Sequence, residues 1–184
     1  MSLIDKIGTP IGHYAPDFEL PGIDGQVHHL SRYLEQWKVV GVIFLCNSCS
    51  SVLFYLDRLK RIQSEFQYQR VSLVGINAND ASQSPDDSFE NMRKFAREHQ
   101  LNFPYLWDTT QDVARSFGVD QVPTAFLIDE RGILRYSGRI DDNAEEPDAV
   151  QEPYLRNAIA ALLSRNQVSP QSTEAMGNAL KWRN

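Results

Sequence analysis

The sequence has little cysteine, no excess of positive charge and no long apolar run, and each shortage excludes something. Only two cysteines occur among 184 residues, Cys46 and Cys49, which rules out the disulfide scaffold of small secreted domains. The pair cannot complete a tetrahedral zinc site alone, and His13, His28, His29 and His99 form no HxxxH-type pair. Lys and Arg number 18 against 24 Asp and Glu, a formal net charge of −6, so the basic footprint that nucleic acid requires is missing. The longest apolar stretch, Val39 to Cys46, is interrupted by Gly41 and falls well short of the roughly 18 residues needed to span a bilayer. The opening residues MSLIDKIGTPIGHYAPDF contain no basic stretch followed by an apolar one, the pattern of an export signal. The expectation is an intracellular, cytoplasmic protein with no membrane and no nucleic-acid partner. A chain of 184 residues buries roughly two-thirds of its unfolded surface, so its core needs no metal or crosslink.

What is present alternates between two periodicities. Residues 15–37 are rich in turn signals, with short extended pieces at Asp17–Leu20 and Gln26–Leu30. Val39–Leu45 is a near-continuous β-branched and aromatic run, the mark of a strand buried on both faces. From Cys49 to Phe66, apolar residues at Val52, Leu53, Leu56, Leu59, Ile62 and Phe66 repeat every three or four positions, which predicts a helix. Val71–Ile76 is a second buried strand. Asp87 with Glu90 resembles a capping box that opens a helix containing Met92, Phe95 and Ala96. A strand at Phe103–Leu106, a helix from Thr110 to Phe117, a hairpin of Thr124–Asp129 and Ile133–Ile140 turning at Gly132, and a helix over Glu152–Leu163 follow. The order is that of an α/β fold with a central mixed β-sheet flanked by helices. Residues 1–165 read as one domain and 166–184 as a polar tail docked on it through Leu180 and Trp182. The acidic stretch Asp141–Glu152, without Lys or Arg, reads as a solvated loop.

The chemistry lies between the first long strand and its helix. A helix N-terminus favours a thiolate, and two cysteines three residues apart at that point lie within reach of one another. Cys46 can attack a substrate disulfide, and Cys49 can release the product by attacking the mixed disulfide. Half of a metal site or two incidental buried thiols share the CxxC spacing. Its place at the carboxyl end of a central strand, where α/β proteins hold ligands, favours a redox dithiol. Pro123, in Val122-Pro123-Thr124, stands just before a predicted strand, either as a strand cap or as a cis bond.

Together APDFEL (15–20), a strand ending in CxxC, and VPTAFLID (122–129) leading into a Gly-turn hairpin resemble the thioredoxin-like redoxin family. The family is of alkyl hydroperoxide reductase/thiol-specific antioxidant type. An N-terminal extension and a strand-helix insert between Val71 and Leu106 fit its peroxiredoxin-like and thiol-reductase branch. A bacterial subfamily with CNHCPYV, INxND, FPYLxD, GRIDD and GCxIKW stretches is similar to CNSCSSV (46–52), INAND (76–80), FPYLWD (103–108), GRIDD (138–142) and GNALKW (177–182) here. The resemblance implies a thioredoxin-like fold and a thiol–disulfide oxidoreductase with Cys46 as nucleophile and Cys49 as resolving thiol. It implies a cis Pro123, with Val122, Pro123 and Thr124 orienting a substrate backbone. Asn47, Ser48, Asn77 and Asp80 stand where they can line the cleft; the other role open to Asn77 and Asp80, and the commoner one, is to cap their own loop with hydrogen bonds. No metal or other cofactor is needed. The partners would be a protein or small-molecule thiol or disulfide, and a reductase or low-molecular-weight thiol as electron donor.

The departures bear on potential and substrate. Ser48 and Ser50 replace a histidine and a proline, and Asn178 replaces a tail cysteine. Gln121 stands where related chains often carry another cysteine. Val40 replaces a buried acid and Leu45 a tryptophan. A peroxidase is one alternative, but PxxxTxxC would need Pro at 39 and Thr at 43, and Val39 and Ile43 are there. A redox sensor or interaction domain without catalysis is another.

Overall fold

The computed structural model describes residues 8–184; residues 1–7, part of the stretch read above for an export signal, lie outside the described residues. Strands β1 (Glu19–Pro21) and β2 (Val27–His29) form a small antiparallel ribbon. Directly after it comes helix α1 (Leu30–Gln36), which the sequence reading passed over. Its signal was present: Leu30, Tyr33, Leu34 and Trp37 recur at helical spacing and pack on the core. The surrounding Gly and Pro signals hid it.

The central sheet has five strands, which lie across it in the order 105–107, 71–77, 39–45, 124–129 and 134–138. Strands β3 (Val39–Leu45) and β4 (Val71–Asn77) are buried along their whole length, as their unbroken apolar runs require. They pair in parallel, and β5 (Tyr105–Trp107) extends the parallel side. On the other side β7 (Thr124–Asp129) runs antiparallel to β3, and β8 (Leu134–Gly138) returns through a turn in which Gly132 has φ +81°. The backbone conformation at this turn is one that glycine adopts without steric cost.

Helix α2 (Ser50–Phe66) follows β3, and α3 (Phe89–Glu98) and α4 (Asp112–Phe117) lie in the β4–β5 and β5–β7 connections. Helix α5 (Tyr154–Leu163) packs on β3 and β7. One predicted cap is corrected. Helix α3 is capped by Ser88, whose Oγ accepts the Asn91 N–H at 3.2 Å. Asp87 instead ends a short 3-10 turn, Pro85–Asp87, and is buried. The carboxylate leaves the helix because a richer set of donors surrounds it elsewhere.

The acidic stretch is also only partly a solvated loop. Asp141 is buried and pairs with Arg58 at 2.7 Å, and Arg58 also donates to the carbonyls of Asn143 and Ala144. The tail runs back across the body. Ser172 bridges to Ser137, Thr173 Oγ1 accepts the Arg139 N–H at 2.8 Å, and Leu180 is buried. A two-stranded ladder joins β6 (Gln121–Val122) to β9 (Asn178–Ala179).

Candidate active site

The register brings the two motifs together. Phe44 of β3 pairs with Thr124 of β7, so the chain leaving β3 at Cys46 passes beside Pro123. The Val122–Pro123 peptide bond is cis, as the resemblance implies; Ser169–Pro170, which nothing in the sequence singled out, is also cis. Thr124 Oγ1 donates to the Gln121 carbonyl at 2.5 Å, so its hydroxyl closes the proline turn.

Cys46 and Cys49 are joined in a disulfide, their Cα atoms 5.6 Å apart. They are within reach of one another, as the spacing predicts, but not as two residues on one helix face. Cys46 follows the last residue of β3, and Cys49 is the N-cap of α2 with extended φ −87°, ψ 118°. Residues 46–49 are therefore a turn ahead of the helix, held from outside. Cys46 is 0% exposed and Cys49 5%.

What holds that turn is Asp87. Its Oδ1 accepts the Asn47 N–H at 2.6 Å and Asn77 Nδ2 at 3.1 Å. Its Oδ2 accepts Ser84 Oγ at 2.7 Å, Ser48 Oγ at 2.9 Å and Asn79 Nδ2 at 3.1 Å. Burial opposes the charge, but the bonds from Asn79, Ser84, Asn47 and Asn77 outweigh it and hold the carboxyl below the usual aspartate range. Tyr105 donates its hydroxyl to Asn47 Oδ1 at 2.8 Å, and burial, then the Asp87 charge, raise its own pKa well above the phenolic value. Asn79 Nδ2 stands 4.0 Å from Cys49 Sγ, linking the carboxylate to the sulfurs.

The cleft-lining candidates thus separate. Asn47 and Ser48 are bound to the Asp87 cluster, and Asn77 belongs to it as a buried member. Asp80 does not join it: its carboxylate accepts from Ser82 and Gln83, and its N–H donates to the Lys181 carbonyl, so it fastens the loop and the tail. Asn79, Ser84, Asp87 and Tyr105 were missed. The available signal was the density of Asn, Asp and Ser over residues 77–88 immediately after a buried strand. The tail completes the wall: a cleft of about 470 Å³ is lined by Ser48, Cys49, Gln83 and 178–182. Among the described residues, no group of three or more His, Cys, Asp or Glu side chains could hold a metal ion, and no helix is long and apolar enough to cross a membrane.

The chain is 31% identical over 134 residues to the thiol-disulfide oxidoreductase ResA of Geobacillus thermodenitrificans, covering 71% of this chain and 70% of that protein. It is similar to an uncharacterized conserved protein from Geobacillus kaustophilus, with a TM-score of 0.88 at 34% identity over 95% of this chain and 93% of the other. The thioredoxin domain of a thiol-disulfide oxidoreductase from Bacteroides vulgatus superposes with a TM-score of 0.59 at 19% identity, covering 68% of this chain and 86% of that one, a likeness of fold alone. The AhpC/TSA family profile spans residues 11–137. With a thioredoxin-like sheet and a paired CxxC at the end of β3, the chain belongs to the AhpC/TSA family.

Proposed function

We propose that this protein is a thiol–disulfide oxidoreductase that works through Cys46 and Cys49. The observation that carries the reading is the CxxC disulfide at the end of β3, set beside the cis Val122–Pro123 bond. In the reduced protein, the Cys46 thiolate attacks one sulfur of a substrate disulfide. A Cys46–substrate S–S bond forms, the substrate S–S bond breaks, and one thiolate leaves and takes up a proton. Cys49, having lost its proton to solvent, then attacks the Cys46 sulfur. The Cys46–Cys49 disulfide forms, and the second substrate thiolate is released. The substrate gains two electrons and the protein loses two; a reductase or a low-molecular-weight thiol restores the dithiol.

Asp87 is a positioning residue in this scheme. It holds the Asn47–Ser48 turn from below and reaches Cys49 through Asn79. A negative charge next to the dithiol disfavours thiolate, and a thiolate that is poorly stabilised favours the oxidised protein. We therefore assign the protein as a reductant of its substrate. Peroxide reduction has less support, because Val39 and Ile43, at the places of its Pro and Thr, are buried strand residues with no polar group to offer.

The test is a redox titration in glutathione and dithiothreitol buffers, with the Cys46–Cys49 state read by alkylation and mass. The expected result is a reversible two-electron midpoint near roughly −270 mV. A midpoint near roughly −120 mV would reverse the direction of electron flow, and the absence of any intramolecular disulfide would remove the assignment.

A further inference from the structure

The strand position beside the cysteines is already filled by the protein's own tail. Val122 pairs with Asn178 and Gln121 with Ala179 in antiparallel register. The approach is close: a Cβ on Gly177 would stand 2.1 Å from the Val122 carbonyl oxygen and 3.2 Å from Pro123 N. Asn178 Oδ1 also accepts the Ser51 N–H at 3.1 Å, in the first turn of α2. The tail is fastened on either side. Thr173 bonds Tyr136 and Arg139 upstream. Downstream, Leu180 N–H donates to Asp120, Lys181 N–H to Asn79, and Gln83 to the Trp182 carbonyl. Cys46 has no exposed surface, and Cys49, which lines a cleft together with residues 178–182, shows only 5%.

We propose that residues 177–179 hold the place of a substrate strand, and that an extended polypeptide must displace them to dock on Gln121–Val122 and reach Cys46. This rests on the reading of Cys46 and Cys49 as the exchange centre. The partner the ledge fits is an unfolded or flexible segment that adds as a strand, with glycine where it crosses the Val122–Pro123 bond, since that is what the resident segment provides. While the tail is down, the neighbouring cleft opens onto Cys49 and not onto Cys46.

The test uses the full chain. Reduced parent and Gly177→Val proteins are pulsed with iodoacetamide, Cys46 labelling is read by mass spectrometry, and hydrogen exchange at amides 178–182 reports whether the tail has lifted. In Gly177→Val these amides exchange about tenfold faster, and Cys46 is labelled about tenfold faster. Reduction of insulin disulfides accelerates more than reduction of glutathione disulfide. Added peptide with the sequence 175–182 returns labelling toward the parent rate. Should Gly177→Val fail to fold, Asn178→Ala loses the bond to Ser51 without a clash, and the same changes are expected at about threefold.

Freely exchanging tail amides with unchanged Cys46 labelling and insulin reduction overturn the proposal. So do tail amides that keep the parent's protection in both variants. The reading of the exchange centre stands or falls separately, on the redox titration: without a reversible midpoint it is lost, whatever the labelling contrast shows.

Discussion

Asp87 accepts the backbone N–H of Asn47 at 2.6 Å from 40 positions further along the chain. That bond fixes the turn between the cysteines, which has no helical hydrogen bonds of its own. Replacing Asp87 by Ala leaves the Asn47 N–H and the amides of Asn77 and Asn79 without their acceptor, at a cost of about 3 kcal/mol or more. Asp87→Asn keeps one acceptor oxygen and loses about 1–2 kcal/mol. Urea titration measures both, and an Ala variant as stable as the parent would mean that the turn holds itself.

The charge of Asp87 has a separate signature. On the proposed reading, in which the Asp87 charge disfavours thiolate, Asp87→Asn should move the pH midpoint of cysteine alkylation in the reduced protein downward. A merely structural residue would change stability and leave that profile in place.

Asp87 also sets a pH dependence of folding. Its carboxyl is held below the ordinary aspartate value of 3.8, so its contribution to stability is complete above that value. It is lost as pH falls through the lower folded value. The stability gap between parent and Asp87→Asn should be constant above about pH 5 and close at lower pH. A gap unchanged down to acid unfolding would contradict the assignment.

Substituting Cys49 by Ser stops the cycle after its first half. Cys46 then forms a mixed disulfide that accumulates, visible as a mass adduct removed by dithiothreitol, whereas Cys46→Ser forms no productive adduct. Adducts on Cys49 alone would exchange the two roles.

Two ion pairs of similar length should differ in worth. Arg58 and Asp141 are 11% and 5% exposed, while Arg156 and Glu65 are 45% and 40% exposed. Arg58→Ala strands a buried carboxylate and should cost about 3–5 kcal/mol. Arg156→Ala should cost less than about 1 kcal/mol. Thermal unfolding of the two variants side by side decides it.

The two long strands and α2 were legible because burial on both faces and a helical stripe leave strong patterns in sequence. The cysteines were legible by type and spacing, though not their geometry: where α2 begins depends on the turn that Asp87 organises, and no periodicity records it. Asp87 itself was misread as a helix cap because Asp followed by Glu three positions later is a local signal. Its partners in the turn between the cysteines, Asn47 and Ser48, lie 40 and 39 positions away. Within residues 166–184, a two-residue ladder such as β9 with β6 has too few residues to show alternation.

The bond between Asn178 and Ser51 joins residues 127 positions apart. During synthesis the cysteines therefore leave the ribosome long before the segment that covers them exists. For that interval Cys46 and Cys49 depend on each other and on the reducing power of their surroundings, and the nascent sheet has its substrate ledge open. Emergence of residues 177–182 is thus also the moment at which the dithiol becomes shielded.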